Sequence, residues 1–278
     1  MTPSPSHRLA VSNIAWDAAE DDAVAAVLRQ AGVGGVEIAP TKWRERPLDA
    51  AAADVAAYRR AWEDRGLRVV SLQSLFFGMP NLQLFGDDAS RVAMSDYLRR
   101  TIDLGAALGA SVLVFGSPRN RVRGELPLDN AVKLAVEFLR QMAEHAHACG
   151  ATICVEANPV DYGCDFINTT AEAVDLCRAI DHPGVLVNGD LGGMTMSGED
   201  PGRSVENANH LLGHFHASEP NLAELGAGAD HTRAAKSLVS IEYSGWVSIE
   251  MRAAGIDDDV ASVQRAVRSA KTWYGTSD

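Results

Sequence analysis

The chain has 278 residues, 46% of them hydrophobic and 22% charged, enough for one large domain with a sizeable core. Its 25 Lys and Arg against 37 Asp and Glu leave a formal charge of -12 without any basic block, which argues against nucleic acid or an anionic membrane as partner. Apolar runs such as Ala110 to Phe115 and Ala151 to Val155 fall far short of the roughly 20 residues a membrane helix needs, so no span is expected.

Residues 1–8 are polar, carry two prolines and lack the charged-then-apolar pattern of a secretory signal; a flexible N-terminal segment and a cytoplasmic location are expected. Beyond them, short Val- and Ile-rich runs alternate with longer stretches of helical spacing. Strands are predicted to begin at Leu9 (LAVSNIAW), Gly35 (GVEIA), Leu67 (LRVVSLQS), Ala110 (ASVLVFGS), Ala151 (ATICVEAN), Gly184 (GVLVNGD), His214 (HFHAS) and Trp246 (WVSIEM). Helices are predicted near 20–31, 48–65, 90–108, 127–149, 170–181, 202–212, 231–243 and 257–274. Gly32, Gly66, Gly109 and Gly150 close four of these helices, as expected of helix C-termini. Cys149, Cys154, Cys164 and Cys177 have no CxxC spacing and read as reduced thiols, mostly in the core.

Eight βα units of about 35 residues each predict a single α/β domain over 1–278, a (β/α)8 TIM barrel. A doubly wound open sheet fits less well, because the first βα turn, Trp16 to Glu20, has no GxGxxG. In a barrel, chemistry sits where strands end. Strands five to eight end in Glu156, Asp190, His216 and Glu250. Any one alone reads as a polar strand end held by a salt bridge or helix dipole, but four at equivalent positions of consecutive units predict one divalent metal ion. Three carboxylates and an imidazole suit Mn²⁺, Co²⁺ or Mg²⁺, with Zn²⁺ less expected than at a thiolate-rich site. His214 points to the same face one layer deeper and reads as a hydrogen-bonded core histidine.

The eight-unit pattern, those four residues and the closing run Tyr243 to Glu250 resemble the xylose isomerase-like barrels of the sugar phosphate isomerase/epimerase family over essentially the whole chain. The chain looks most like the ketose 3-epimerase and inosose isomerase group. That resemblance implies an enzyme in which one divalent metal, Mn²⁺ first, is held by Glu156, Asp190, His216 and Glu250. Glu156 and Glu250 also serve as the acid–base pair, and proton transfer runs through a metal-stabilised enediolate of a sugar, sugar phosphate or cyclitol. Dimers or tetramers are common among similar barrels.

One departure is Gly193, where many relatives carry a substrate-binding His; it predicts an open pocket wall and a bulkier or differently oriented substrate. The run Gly116-Ser117-Pro118-Arg119-Asn120-Arg121 places Arg119 and Arg121 in a basic loop suited to an anionic substrate group, against a plain surface loop paired with acids. Glu37 and Gln73 are candidate contacts to substrate hydroxyls, and Trp16, Phe76 and Phe77 candidate rim aromatics. Glu219 is expected to orient a ligand imidazole or touch substrate, and His231 to touch substrate or start a helix. Related barrels also carry out dehydration or β-elimination on keto sugars, keto inositols and oxidised glycosides, with the same metal and carboxylates. An abasic-site endonuclease, which needs three zinc ions and more histidines, or a non-catalytic sugar-binding barrel, fits the residues less well.

Overall fold

Eight parallel strands close on themselves in chain order: β1 Leu9–Ser12, β2 Gly35–Ile38, β3 Arg68–Leu72, β4 Val112–Phe115, β5 Thr152–Glu156, β6 Val185–Asp190, β7 Leu212–Ser218 and β8 Val247–Glu250. Closure is made by β8 pairing with β1, Leu9 opposite Val247 and Val11 opposite Ile249. The computed structural model describes residues 8–226, 228–255 and 258–275; residues 1–7 of the expected N-terminal segment, and the predicted helix start at 257, lie outside the described residues.

The outer layer is α1 Asp21–Gln30, α3 Ala52–Asp64, α4 Asp88–Leu108, α5 Leu128–Ala148, α6 Thr170–Ile180, α8 Pro201–Ala208, α9 His231–Ser240 and α10 Asp259–Tyr274. Each falls on a predicted helix, because the apolar residues recur at helical spacing. In α5 the buried positions Ala131, Ala135, Phe138, Leu139, Met142 and Ala146 form one stripe against the barrel. Gly32, Gly66, Gly109 and Gly150 all adopt positive φ at helix ends, a backbone state that costs glycine nothing. Two short helices interrupt βα connections, α2 Pro40–Trp43 and α7 Leu191–Met196. Neither was predicted; in the second the Gly-Gly core has no helical period, and it forms because Asp190 caps it, accepting from the Gly193 amide at 2.9 Å. Among the described residues no helix is long and apolar enough to cross a membrane.

Period-two alternation sends every second strand residue into the barrel. The last four strands thereby contribute inward pairs: Cys154 and Glu156, Asn188 and Asp190, His214 and His216, Ser248 and Glu250. A small apolar cluster of Val112, Val114 and Cys154, with Leu186 against it, packs inside the barrel, Val114 reaching up to the cavity wall. Above it lies a polar layer, and above that the mouth. Trp16 corrects an expectation here: it is fully buried, donates from Nε1 to Asp21 at 2.8 Å and meets the Trp62 ring edge-on, so it belongs to the helix–barrel core rather than the rim.

Candidate active site

The upper layer is built around one imidazole. His216 Nδ1 lies 3.2 Å from Glu156 Oε1 and 3.2 Å from Glu250 Oε2, so carboxylates from β5 and β8 meet on one nitrogen from β7. The candidate ligand atoms of these three residues all lie within 4.8 Å of one another. Asp190 shares their cavity but stands apart from that trio, because its carboxylate accepts from Ser218 Oγ and from the Gly193 amide. Glu156 is clamped at both oxygens, Asn188 Nδ2 donating to Oε1 at 2.7 Å and Asn158 Nδ2 to Oε2 at 3.1 Å. Gly116 makes room for it: a Cβ there would fall 2.3 Å from Glu156 Oε2, closer than real side chains approach.

Beneath, Glu37 is wholly buried and accepts from Ser71 Oγ (2.7 Å), Gln73 Nε2 (3.1 Å), Ser248 Oγ (3.2 Å) and His214 Nε2 (2.9 Å), with His216 Nε2 at 3.2 Å. A carboxylate offers about four lone-pair positions, so these donors saturate it. With Nε2–H given to Glu37, His216 turns Nδ1 upward to the cavity, the arrangement by which a carboxylate fixes the tautomer of a metal-binding histidine.

Charge separates the layers. Burial works against the Glu37 carboxylate, yet the two histidines outweigh it and hold it well below the usual range. Burial likewise opposes the His216 imidazolium, but Glu37, Glu250 and Glu156 raise its proton affinity well above the ordinary value, while burial lowers that of His214. Burial also acts to raise Glu156, and hydrogen bonding to His216 and Asn158 brings it below the ordinary value. Asp190 goes the other way: burial, then repulsion from Glu156 and Glu250, pushes it up to about 7. The upper layer thus holds more carboxylates than one imidazolium balances, and this oxygen-rich set with a single imidazole nitrogen fits a divalent cation.

A cavity of about 660 Å³ opens above these groups, walled by Gln73, Phe76, Phe77, Arg119, Tyr162 and Leu222 among others, with Phe77 69% exposed. Of the six sequence-predicted substrate contacts, the structure brings Gln73 and Arg119 to this wall. Glu37 is sealed below it. Arg121 is fully buried with its guanidinium donating to the Glu156 carbonyl at 2.6 Å, so it braces strand β5 and is no part of a basic mouth. Glu219 is buried away from His216, accepting from the Gly226 and Ala229 amides and pairing with His231. His231 is the first residue of α9, buried between Glu219 and the Tyr274 hydroxyl and stacked on Trp273 at 4.3 Å. Gly193 is buried at the start of α7 rather than forming an open wall; a Cβ there would fall 2.7 Å from Asp190 Oδ2. Sequence reasoning missed Gly116, Asn158, Asn188 and Ser218. Asn188 and Ser218 each lie two residues from a predicted ligand on the same strand, a spacing that marks them as inward-facing.

A closed parallel barrel with carboxylates and an imidazole at the mouth of its last four strands defines a class of (β/α)8 protein with its polar site on the C-terminal face. The chain belongs to the xylose isomerase-like TIM barrel family, whose sequence model matches residues 25–273. It is 33% identical over 118 residues to a D-psicose 3-epimerase of Ruminiclostridium cellulolyticum, a match spanning 42% of this chain and 40% of that protein. It is 27% identical over 206 residues to a D-psicose 3-epimerase of Agrobacterium fabrum, covering 71% of this chain and 69% of that one. A crystal structure of D-psicose 3-epimerase with D-tagatose from Clostridium cellulolyticum H10 superposes with a TM-score of 0.81 at 18% identity, over 97% of this chain and 100% of that chain.

Proposed function

We propose that this protein is a divalent-metal-dependent epimerase or isomerase acting on a sugar, sugar phosphate or cyclitol by proton transfer at the carbon beside a carbonyl. The observation that carries the reading is the meeting of Glu156 and Glu250 on His216 Nδ1 at the floor of a cavity of about 660 Å³. The relatives named D-psicose 3-epimerase support it. Glu156, His216, Glu250 and Asp190 would hold one ion, Mn²⁺ first, with Co²⁺, Mg²⁺ and Zn²⁺ as alternatives. Bound there, such an ion supplies Lewis-acid polarisation of a carbonyl oxygen, lowering the cost of charge that develops when the neighbouring C–H ionises.

The chain's own residues do the rest. Glu156 and Glu250 come from strands separated by β6 and β7, so they approach a flat enediolate from different walls. One takes the proton and the other returns one to the opposite face, which inverts the carbon. Asn158 and Asn188 hold both Glu156 oxygens, so the carboxylate keeps one orientation through the transfer. Arg119 offers donors to hydroxyls or an anionic group, Gln73 lines the wall with its amide already donating to Ser12 and Glu37, and Phe76 and Phe77 offer an apolar surface to the C–H face of a sugar.

The test is to incubate the Mn²⁺-loaded protein with D-psicose, D-fructose and D-tagatose in D₂O and follow the products by NMR. Deuterium at the inverted carbon is expected, falling about 10²–10⁴-fold in Glu156→Gln and Glu250→Gln. An aldose–ketose isomer formed without deuterium would indicate hydride transfer, and full activity in either variant would remove the acid–base assignment. Release of a dehydrated product would favour the β-elimination reading.

A further inference from the structure

We propose that Asp103, His145 and Cys149 form a second metal site, on the outside of the barrel, that takes a thiophilic divalent cation such as Zn²⁺. The site is independent of the one at the barrel mouth. His145 and Cys149 stand one turn apart at the C-terminal end of α5, and Asp103 faces them from the neighbouring α4. His145 Nε2 lies 2.8 Å from Asp103 Oδ1, Cys149 Sγ 3.8 Å from the same oxygen, and the sulfur 4.0 Å from Nε2. A tetrahedral ion with bonds of about 2.0–2.3 Å holds its ligands roughly 3.3–3.7 Å apart, so rotamer adjustments of a few tenths of an ångström convert this cluster into a coordination shell.

Four further features point the same way. The donors are one sulfur, one nitrogen and one oxygen, the soft-to-borderline mixture that selects Zn²⁺ or Co²⁺ over the hard Mn²⁺ and Mg²⁺. One thiolate and one carboxylate balance a divalent charge, giving a neutral complex, and the C-terminal end of α5 adds the negative end of its dipole. No lysine or arginine forms an ion pair with Asp103 among the described residues, which leaves its carboxylate to the His145 ring and the Cys149 thiol. Cys149 is half-buried where Cys154, Cys164 and Cys177 are buried, in keeping with cysteines mostly in the core, and its exposure leaves a path for the ion and room for a fourth ligand.

The ligand is the thiolate, which the neutral thiol supplies by losing its proton. Binding therefore breaks the S–H bond, releases that proton to solvent and forms the metal–sulfur bond.

The decisive experiment titrates Co²⁺ into chelator-stripped His216→Ala protein, which disables the barrel-mouth cluster. One equivalent is expected to bring up the intense near-ultraviolet thiolate-to-cobalt charge-transfer band. Cys149→Ser, or alkylation of the half-buried Cys149 thiol in otherwise unaltered protein, should abolish the band, and Asp103→Ala or His145→Ala should weaken binding at least tenfold. Zn²⁺ should displace the cobalt where equal Mn²⁺ does not. Cys149→Ser protein with an intact mouth should keep its Mn²⁺-dependent activity. Absence of the band, or its survival in Cys149→Ser, would overturn the proposal.

Discussion

Two layers of the barrel interior, a single period-two step apart, treat their carboxylates in opposite ways. In the lower layer Glu37 is surrounded by hydroxyl, amide and imidazole donors, and its charge is fully compensated. In the upper layer Glu156, Asp190 and Glu250 share one imidazolium, and the excess shows in the carboxyl of Asp190, pushed up to about 7. A closed network specifies a structure, whereas an open one stores an electrostatic deficit that a cation relieves. His216 spans both, giving Nε2 to the lower layer and Nδ1 to the upper.

The comparison breaks most visibly at Glu37. Glu37→Ala strips His214 and His216 of their acceptor in a site without water access, and unfolding free energy in urea should fall by about 3–5 kcal/mol. Glu37→Gln keeps the shape but can donate where it formerly accepted, so its milder effect should appear in metal affinity, about 10–100-fold weaker by competition with a chelator. An affinity unchanged in Glu37→Gln would mean that His216 needs no partner below it.

Asp190 sharpens the same contrast through pH. The unfolded chain releases this proton near the ordinary value of 3.8, the folded chain at about 7. Between those values the folded protein holds a proton that the unfolded one lacks, so the associated stability is full below about 4 and lost as pH rises through 7. His216, raised above its ordinary value of 6.5, adds a loss in the same direction at higher pH. Metal binding runs oppositely, since its ligands must be deprotonated, so the stabilisation given by Mn²⁺ should grow from pH 5 to 8. Denaturation across that range should show a shallower metal-free slope in Asp190→Asn than in the unaltered protein; equal slopes would remove Asp190 as the source.

Much of this was legible in the chain because barrel geometry converts strand position into spatial position. The apolar runs located all eight strands, and strand ends on consecutive units brought Glu156, His216 and Glu250 into one cluster. What was not legible depends on depth and register. Glu37 sits near the end of β2 and reads as a mouth residue, but the pairing of β2 with β3 shifts between Val36 and Glu37, and the side chain lies a layer lower, among donors from four other strands and loops. The supporting role of Gly116 follows only from where the Glu156 carboxylate lies. Helix α7 likewise rests on a cap supplied by Asp190, a residue whose spacing suggested a ligand.

The smallest effect separates the two arginines that sequence placed together. Arg119 lines the cavity while Arg121 is buried against the Glu156 backbone, so the same truncation should register in different observables. Arg121→Ala should lower stability and kcat, because the chain bearing Glu156 loses its brace and a buried space opens beside it. Arg119→Ala should leave stability and kcat near their starting values and raise KM a few-fold, by about 0.5–1 kcal/mol for a neutral sugar and more for a phosphorylated one. Steady-state kinetics on both substrate types decides it: a KM rise distinctly larger for the phosphorylated substrate marks Arg119 as an anion contact. Equal KM values in variant and parent would leave recognition to the other wall residues, the apolar surface of Phe76 and Phe77 among them.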